Sequence, residues 1–452
     1  MLRGGFYMLG AIGVTFTDYL LPAVLLSAGI FLTIRLRGVQ LRFLGFGLKN
    51  MLCREREENG GISPFRALAT SLAAQLGTGN IVGAGTAIIT GGPGAVFWMW
   101  VSAFFGMAIA YSEASLAVIT RKKAPDGSFS GGAAHYIQEA FGGKGGRLLA
   151  GAFSFFATAA LGFTGVAVQS NSIAAALKDA FGIPFFLTAV IITLLAGFFI
   201  LKGTGAISGF AEKTVPLFAT AFMLSCIAVI IVNIKNLPRA VGLIFSCAFS
   251  PTALLGGMSG ISVREALTQG IKRGLFTNEA GMGSTPCMHA LSSTKSAHLQ
   301  GALGIAGVFI DTFLMLSITA TAIITVFYTG NTHPDMGQSG SLAVTAALAT
   351  VFTPRGAAVL VAFSVLFFAF ASILGWSLSG RMSAIYLFGK KSEKLYIFST
   401  LLFIFIGCLI SQATAWALTD IFNTLMVLTN IPALLRLSAV TAAHIERKKG
   451  HL

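Results

Sequence analysis

Two apolar runs in this chain are interrupted in the same way, first at Gly77-Thr78-Gly79-Asn80 and about 200 residues later at Asn278-Glu279-Ala280-Gly281-Met282-Gly283-Ser284. In lipid, each backbone N–H and C=O must be paired within its own segment, so a helix is broken only where it lines a protected cavity. Two breaks in corresponding halves of one hydrophobic chain are the pattern of a secondary transporter's binding site. The pairing carries the weight, because 53 glycines supply many isolated small-residue runs.

With 452 residues, 55% hydrophobic and 10% charged, and a mean hydropathy of +0.81, the composition excludes a soluble domain, which carries roughly a quarter charged residues. The expectation is an all-α polytopic membrane protein. Runs of the ~20 residues that cross a bilayer are expected near 14–34, 64–90, 93–120, 148–177, 184–201 and 214–233. A broken span at 252–290 follows, then 297–329, 356–388, 395–411 and 413–436, about eleven in all.

A net charge of +15 raises the question of nucleic acid, but its distribution excludes that partner. Of 31 Lys and Arg, 23 fall in one alternate set of loops and tails and 5 in the other. This is the positive-inside pattern, with the amino terminus outside and the carboxyl terminus in the cytoplasm. The five cysteines, Cys53, Cys226, Cys247, Cys287 and Cys408, show no metal spacing and read as small packing residues. The first apolar stretch contains Asp18 and no convincing small-residue cleavage site, so it reads as a retained helix.

Residues 1–61 form an extra helix and a basic loop, and 437–452 a basic tail. The remaining spans divide into a five-helix repeat at 62–235 and a second at 236–436, each opening with a broken helix. Five being odd, the second set must insert upside down, giving a five-plus-five inverted repeat. Residues 341–351 are expected as a short helix lying on the outer surface.

Unwinding at Gly77–Asn80 frees N–H groups at the positive end of the following half-helix, which suits a carboxylate, while freed carbonyls suit a small hard cation. The alternative is close helix packing, as expected of Gly83 and Gly85. Glu279 at membrane depth needs a partner or water; Lys272 or Arg273 is the expected partner, in a gate or bracing ion pair, and the alternative reading is direct ligation by the carboxylate. Glu113 and Asp420 sit near span ends and are expected to be hydrated. Asp311, half-way along its span, is the candidate for coupling or proton handling. Gln169 has two readings, bonding a neighbouring helix or lining the pocket. Trp376 likewise reads as packing or as pocket wall, with Ser372 one turn before it.

These residues carry a resemblance to the alanine/glycine:cation symporter family, within the amino acid–polyamine–organocation superfamily. The matching runs are Gly77-Thr78-Gly79-Asn80-Ile81, Gly91-Gly92-Pro93-Gly94-Ala95-Val96-Phe97-Trp98-Met99-Trp100, Arg273-Gly274 through Ser284, and Ile310-Asp311-Thr312. The resemblance implies a sodium- or proton-coupled importer of alanine or glycine in a bacterial-type inner membrane, with the fold of the bacterial leucine transporter and no cofactor. It implies that amides near Thr78 and Gly79 hold the substrate carboxylate, and that carbonyls of Ala73 and Leu76 with the Ser372 hydroxyl hold sodium. Phe276, Thr277 and Asn278 would face the ammonium group, and Trp376 and Phe276 would limit side-chain size. Asn80, Gln169 and Gly281 complete the expected substrate site, and Glu279, Arg273 and Asp311 the gating or coupling set. The rival from another class is an intramembrane serine protease, on Gly257-Met258-Ser259-Gly260 and His289 as nucleophile and base.

Overall fold

The structure, a computed structural model, describes residues 16–52, 61–123, 127, 129–250, 263–328 and 339–447. The chain is almost entirely helical. A π-helical turn, Phe16–Leu20, leads into α1 (Leu21–Arg35), followed by α2 (Val39–Asn50), α3 (Pro64–Gln75), α4 (Val82–Gly91) and α5 (Gly94–Thr120). A small hairpin, β1 (Lys122–Lys123) with β2 (Phe129–Ser130), precedes α6 (Ala133–Phe141). The helices α7 (Gly143–Ala159) and α8 (Val166–Phe181) run on through a π-helical stretch, as do α14 (Ala297–Val308) and α15 (Ser317–Phe327). Between them come α9 (Phe185–Lys202), α10 (Thr204–Val232), α11 (Leu237–Phe249), α12 (Val263–Asn278) and α13 (Pro286–Ala290). The chain closes with α16 (Gly340–Leu348), α17 (Pro354–Phe388), α18 (Glu393–Gly407), α19 (Gln412–Arg436) and α20 (Ser438–Arg447).

Among the described residues, eight helical segments are long and apolar enough to cross a membrane. The broken pairs α3/α4 and α12/α13 add two interrupted crossings by their position. The boundaries follow local chemistry. Helices α3, α14, α17 and α19 open behind Ser63, Ser296, Thr353 and Ser411, whose hydroxyls accept a backbone N–H of the first turn. Such a cap satisfies one of the four donors a helix start leaves free. Pro64 and Pro354 then fill the first helical position.

Several segments differ from the sequence expectation. Helices α2, α6 and α11 lie where loops are expected, being too short or too mixed in composition to register as spans. The expected span 252–290 overlaps α12 and α13, but 251–262 lie outside the described residues. Helix α16 forms where a short helix is expected, with Leu342 exposed on one face. Its other face packs against α4 and α17, where Gly85 meets Gly340 so closely that a Cβ at Gly85 would stand 2.2 Å from the Gly340 carbonyl oxygen. Cys226, Cys247, Cys287 and Cys408 are buried and unpaired, as packing residues are.

Two packed groups of helices meet at the breaks. Helices α12 and α14 run along α5, while α17 runs along α7 and α8, and α3 lies between α10 and α17. Helix α1 packs on α5 and α19, closing one side.

Candidate functional site

Helix α3 ends at Gln75, and Gly77 adopts a backbone (φ −87°, ψ −147°) that leaves the helix before a single 3-10 turn at Thr78–Asn80. The carbonyls this releases are met by α17, whose Ser372 Oγ donates to Ala73 O at 2.7 Å and lies 3.0 Å from Ala74 O. On the other side of Gly77, Thr78 N donates to Gln169 Oε1 at 3.1 Å. A Cβ at Gly77 would stand 2.5 Å from Ser372 Oγ and 2.9 Å from Gln169 Nε2, so only glycine admits both neighbours.

The second break is built from left-handed residues. Glu279, Gly281 and Gly283 have φ of +56°, +91° and +75°. For Glu279 that conformation costs roughly 1–3 kcal/mol, and its side chain is tied at both oxygens. Trp376 Nε1 donates to Oε1 at 2.5 Å, and Ser284 Oγ donates to Oε2. The expected ion pair of Glu279 with Lys272 or Arg273 is therefore corrected. Those two residues point toward α19 and the π-helical turn before α1: Lys272 Nζ lies 2.9 Å from Asp18 and 3.7 Å from Asp420. Arg273 lies 3.8 Å from Asp420 and 4.2 Å above the Trp416 ring.

The expected hydration of Glu113 is also corrected. Its side chain is fully buried, because α5 continues seven residues beyond it to Thr120. Glu113 accepts from Gly281 N (3.1 Å), Gly283 N (2.9 Å) and Asn430 Nδ2 (2.7 Å). Asn430 Nδ2 also meets Gly281 O at 3.0 Å, and Tyr136 donates to Asn430 Oδ1 at 2.6 Å. Sequence reasoning missed Asn430, Tyr136 and Trp416 altogether. For Glu113 the signal was present in those seven further residues.

The two breaks are bonded to one another and to Asp311. Gln75 Nε2 donates to Asn278 O at 3.0 Å, and Asn80 Nδ2 to Asp311 Oδ1 at 2.6 Å. Thr312 Oγ1 donates to Asp311 Oδ2 at 2.9 Å and receives Asn278 Nδ2 at 3.3 Å. Asn278 Oδ1 accepts from Ala280 N. Gly79 faces Thr277, where a Cβ would be 2.6 Å from Thr277 Oγ1. Phe276 meets Trp376 edge-on, centroids 5.5 Å apart, and Trp416 at 4.4 Å.

Thus Ala73, Leu76, Thr78, Gly79, Asn80, Gln169, Thr277, Asn278, Asp311 and Ser372 are gathered around the breaks, with Phe276, Trp376 and Glu279 forming one edge. Gly281 stands apart, turned toward Leu25, Ile109 and Ile431. Four buried polar atoms at this centre, Gln75 Oε1, Thr78 Oγ1, Asn80 Oδ1 and Gln169 Nε2, have no hydrogen-bond partner among the described residues. Leaving a buried polar atom unmatched costs roughly 1–3 kcal/mol, so such a cluster fits a polar ligand.

Comparison with known proteins shows the family. The family model for the sodium:alanine symporter family matches residues 7–449. The chain is 36% identical to the sodium/alanine symporter AgcS of Methanococcus maripaludis, over 93% of this chain and 92% of that protein. It is 36% identical to the probable sodium/glutamine symporter GlnT of Bacillus subtilis, over 93% and 86%. The structure of a Na+-coupled sialic acid symporter in a substrate-bound outward-open state superposes with a TM-score of 0.50 at 14% identity, covering 90% of this chain and 82% of that one. The serine-protease rival is overturned by the family match; Gly257–Gly260 lie outside the described residues, and His289 is buried against Gln300 Nε2 at 2.6 Å. The chain belongs to the sodium:alanine symporter family and is a multi-pass, sodium-coupled amino-acid symporter with a fold like that of the leucine transporter, not an enzyme.

Proposed function

We propose that the chain imports alanine or glycine with sodium by alternating access, in a bacterial-type inner membrane with its amino terminus outside and its carboxyl terminus cytoplasmic. The observation that carries this reading is the cluster of unmatched polar atoms where the two broken helices meet. The amides at Thr78 and Gly79 receive the carboxylate, with Gln169 yielding the Thr78 N–H; Asn80, Thr277 and Asn278 supply the polar surroundings. Ser372 with the Ala73 and Leu76 carbonyls offers the neutral oxygens a hard cation takes. Asp311, bonded to Asn80, links that site to α14 and α15.

A small substrate is favoured by the packing. Gly77 and Gly79 leave no room for even a methyl group beside Ser372, Gln169 and Thr277, and Trp376 and Phe276 wall one edge. The relative named for alanine supports the same choice, whereas the one named for glutamine points to a larger ligand.

The test is uptake of labelled alanine into proteoliposomes under separately imposed sodium and proton gradients. A sodium gradient should drive accumulation, aided by ~2.3 kcal/mol per charge for each 100 mV of membrane potential. Excess glycine should compete and excess glutamine should not. Accumulation that follows only the proton gradient, or that glutamine blocks, defeats this reading.

A further inference from the structure

On the basic face of the molecule, opposite the ion pairs of Lys272 and Arg273, the two half-helices below the breaks are joined by backbone. Ile62 N donates to Leu291 O at 2.9 Å and Ser293 N donates to Ile62 O at 2.7 Å, pairing Ile62 with Ser292 in a parallel bridge. Only the capping residue Ser63 separates this bridge from α3, and Leu291 follows directly on α13.

Arg121, the first residue past α5, closes over the same segment. Its guanidinium donates to Ala290 O at 3.2 Å, to Ser292 O, and to Thr294 O at 2.6 Å. The Phe129 ring stacks on that guanidinium at 4.0 Å and abuts Gly61, where a Cβ would stand 2.9 Å from the ring edge. A second tie lies higher up, where Gln75 Nε2 bonds Asn278 O at 3.0 Å. The half-helix α3 is therefore tied to the second broken span twice, to the end of α12 at the breaks and to the segment directly after α13 at the face.

Toward the other helix group, the described hydrogen bonds of α3 and the second break run through side chains: Ser372 to Ala73 and Ala74, Ser379 Oγ to Ser284 O at 2.9 Å, and Trp376 to Glu279. Swinging α3 alone about Gly77 would break the backbone bridge and strand Ser293 N–H and the Ile62 carbonyl. Moving α3 and α13 together leaves that bridge whole and parts the seams with α17 and with α10, the latter held by Arg66 to Glu212 at 3.4 Å and to Gly205 O at 3.1 Å.

We propose that this clasp makes α3 and α13 one moving piece, so that both half-helices travel together when the site opens to the basic face, with Arg121 as its positioning residue. The inference rests on alternating access, as proposed above. The test is a cross-link, Ile62→Cys with Ser292→Cys, in a chain carrying Cys53→Ser; the described native cysteines are buried. Reconstituted full-length protein is assayed for sodium-driven uptake of whichever amino acid the unmodified chain accumulates.

The oxidised pair should retain uptake within about twofold of the same protein after reduction, the spread of independent sites. Arg121→Ala should lower the uptake rate about tenfold or more, the scale of losing charge-assisted hydrogen bonds, and oxidising the cysteine pair in that variant should restore it. Uptake lost on oxidation and regained with reductant would mean that α3 parts from residues 291–293 during the cycle, and the proposal fails. Should Arg121→Ala not reach the membrane, the pair in the Arg121 background still decides. Uptake by the reduced protein reports on the proposed function, while the ratio of oxidised to reduced reports on the clasp alone.

Discussion

The amides of Gly281 and Gly283, both freed by the second break, are received by one carboxyl group, that of Glu113. Each oxygen of Glu113 accepts an N–H, and Asn430 adds a third bond from α19. Glu113→Gln keeps the shape but turns an NH2 toward an N–H, leaving one buried amide unmatched. That should cost roughly 1–3 kcal/mol, read as a lowered unfolding midpoint of the purified protein in detergent. A midpoint equal to that of the parent chain would mean that the break is held by its glycines without this carboxyl. At this scale the sequence was least legible. It identified the polar residues in apolar context, Glu113, Gln169, Glu279 and Asp311 among them, because each is conspicuous against aliphatic neighbours. It did not identify their partners: Glu113 meets residues 168 and 317 positions away, and no spacing rule joins residues on different helices.

Broken helices were the most legible elements, because a glycine-and-asparagine run inside an apolar stretch conflicts with the bilayer's demand for internal pairing. Helices α2, α6 and α11 were not, since a short helix of mixed composition has no hydropathy signature and takes its stability from docking. How tightly the broken elements cross could be learned only from the structure. Gly79 and Thr277 touch with no space for a side chain, and a Cβ at Gly79 would meet Thr277 Oγ1 at 2.6 Å and the Thr277 backbone at 3.0 Å. Gly79→Ala should therefore force the two breaks apart and cut amino-acid uptake by about tenfold or more, the scale of 1–3 kcal/mol for overpacking. Adding Thr277→Ala removes the clash with the hydroxyl but leaves the backbone of residue 277 in place, so uptake should recover in part. Full recovery would mean that the hydroxyl alone sets the distance; no loss at all in Gly79→Ala would mean that the crossing yields easily and does not shape the site.

Across the whole molecule, the alternation of basic and neutral loops made the membrane class readable, since lysine and arginine are sorted by side whatever the helices contain. The meeting of two helix groups at the breaks was readable only as an expectation, and Trp376 shows why. Sequence alone left it between packing and pocket wall, and the structure gives it neighbours of both kinds. Its ring lies over Gly165, where a Cβ would stand 2.7 Å away, its indole N–H holds Glu279 across the seam, and Phe276 meets it edge-on. Two substitutions separate these roles. Trp376→Phe keeps most of the bulk and removes the bond to Glu279, whereas Trp376→Ala removes both. If the ring bounds the substrate side chain, leucine or valine should compete with labelled alanine in the alanine variant and not in the phenylalanine variant. The expected shift in relative affinity is about 10- to 200-fold per methylene accommodated. If both variants instead lose uptake equally while leucine stays excluded, the tie to Glu279 is what matters, and side-chain size is set elsewhere around Gly77 and Gly79.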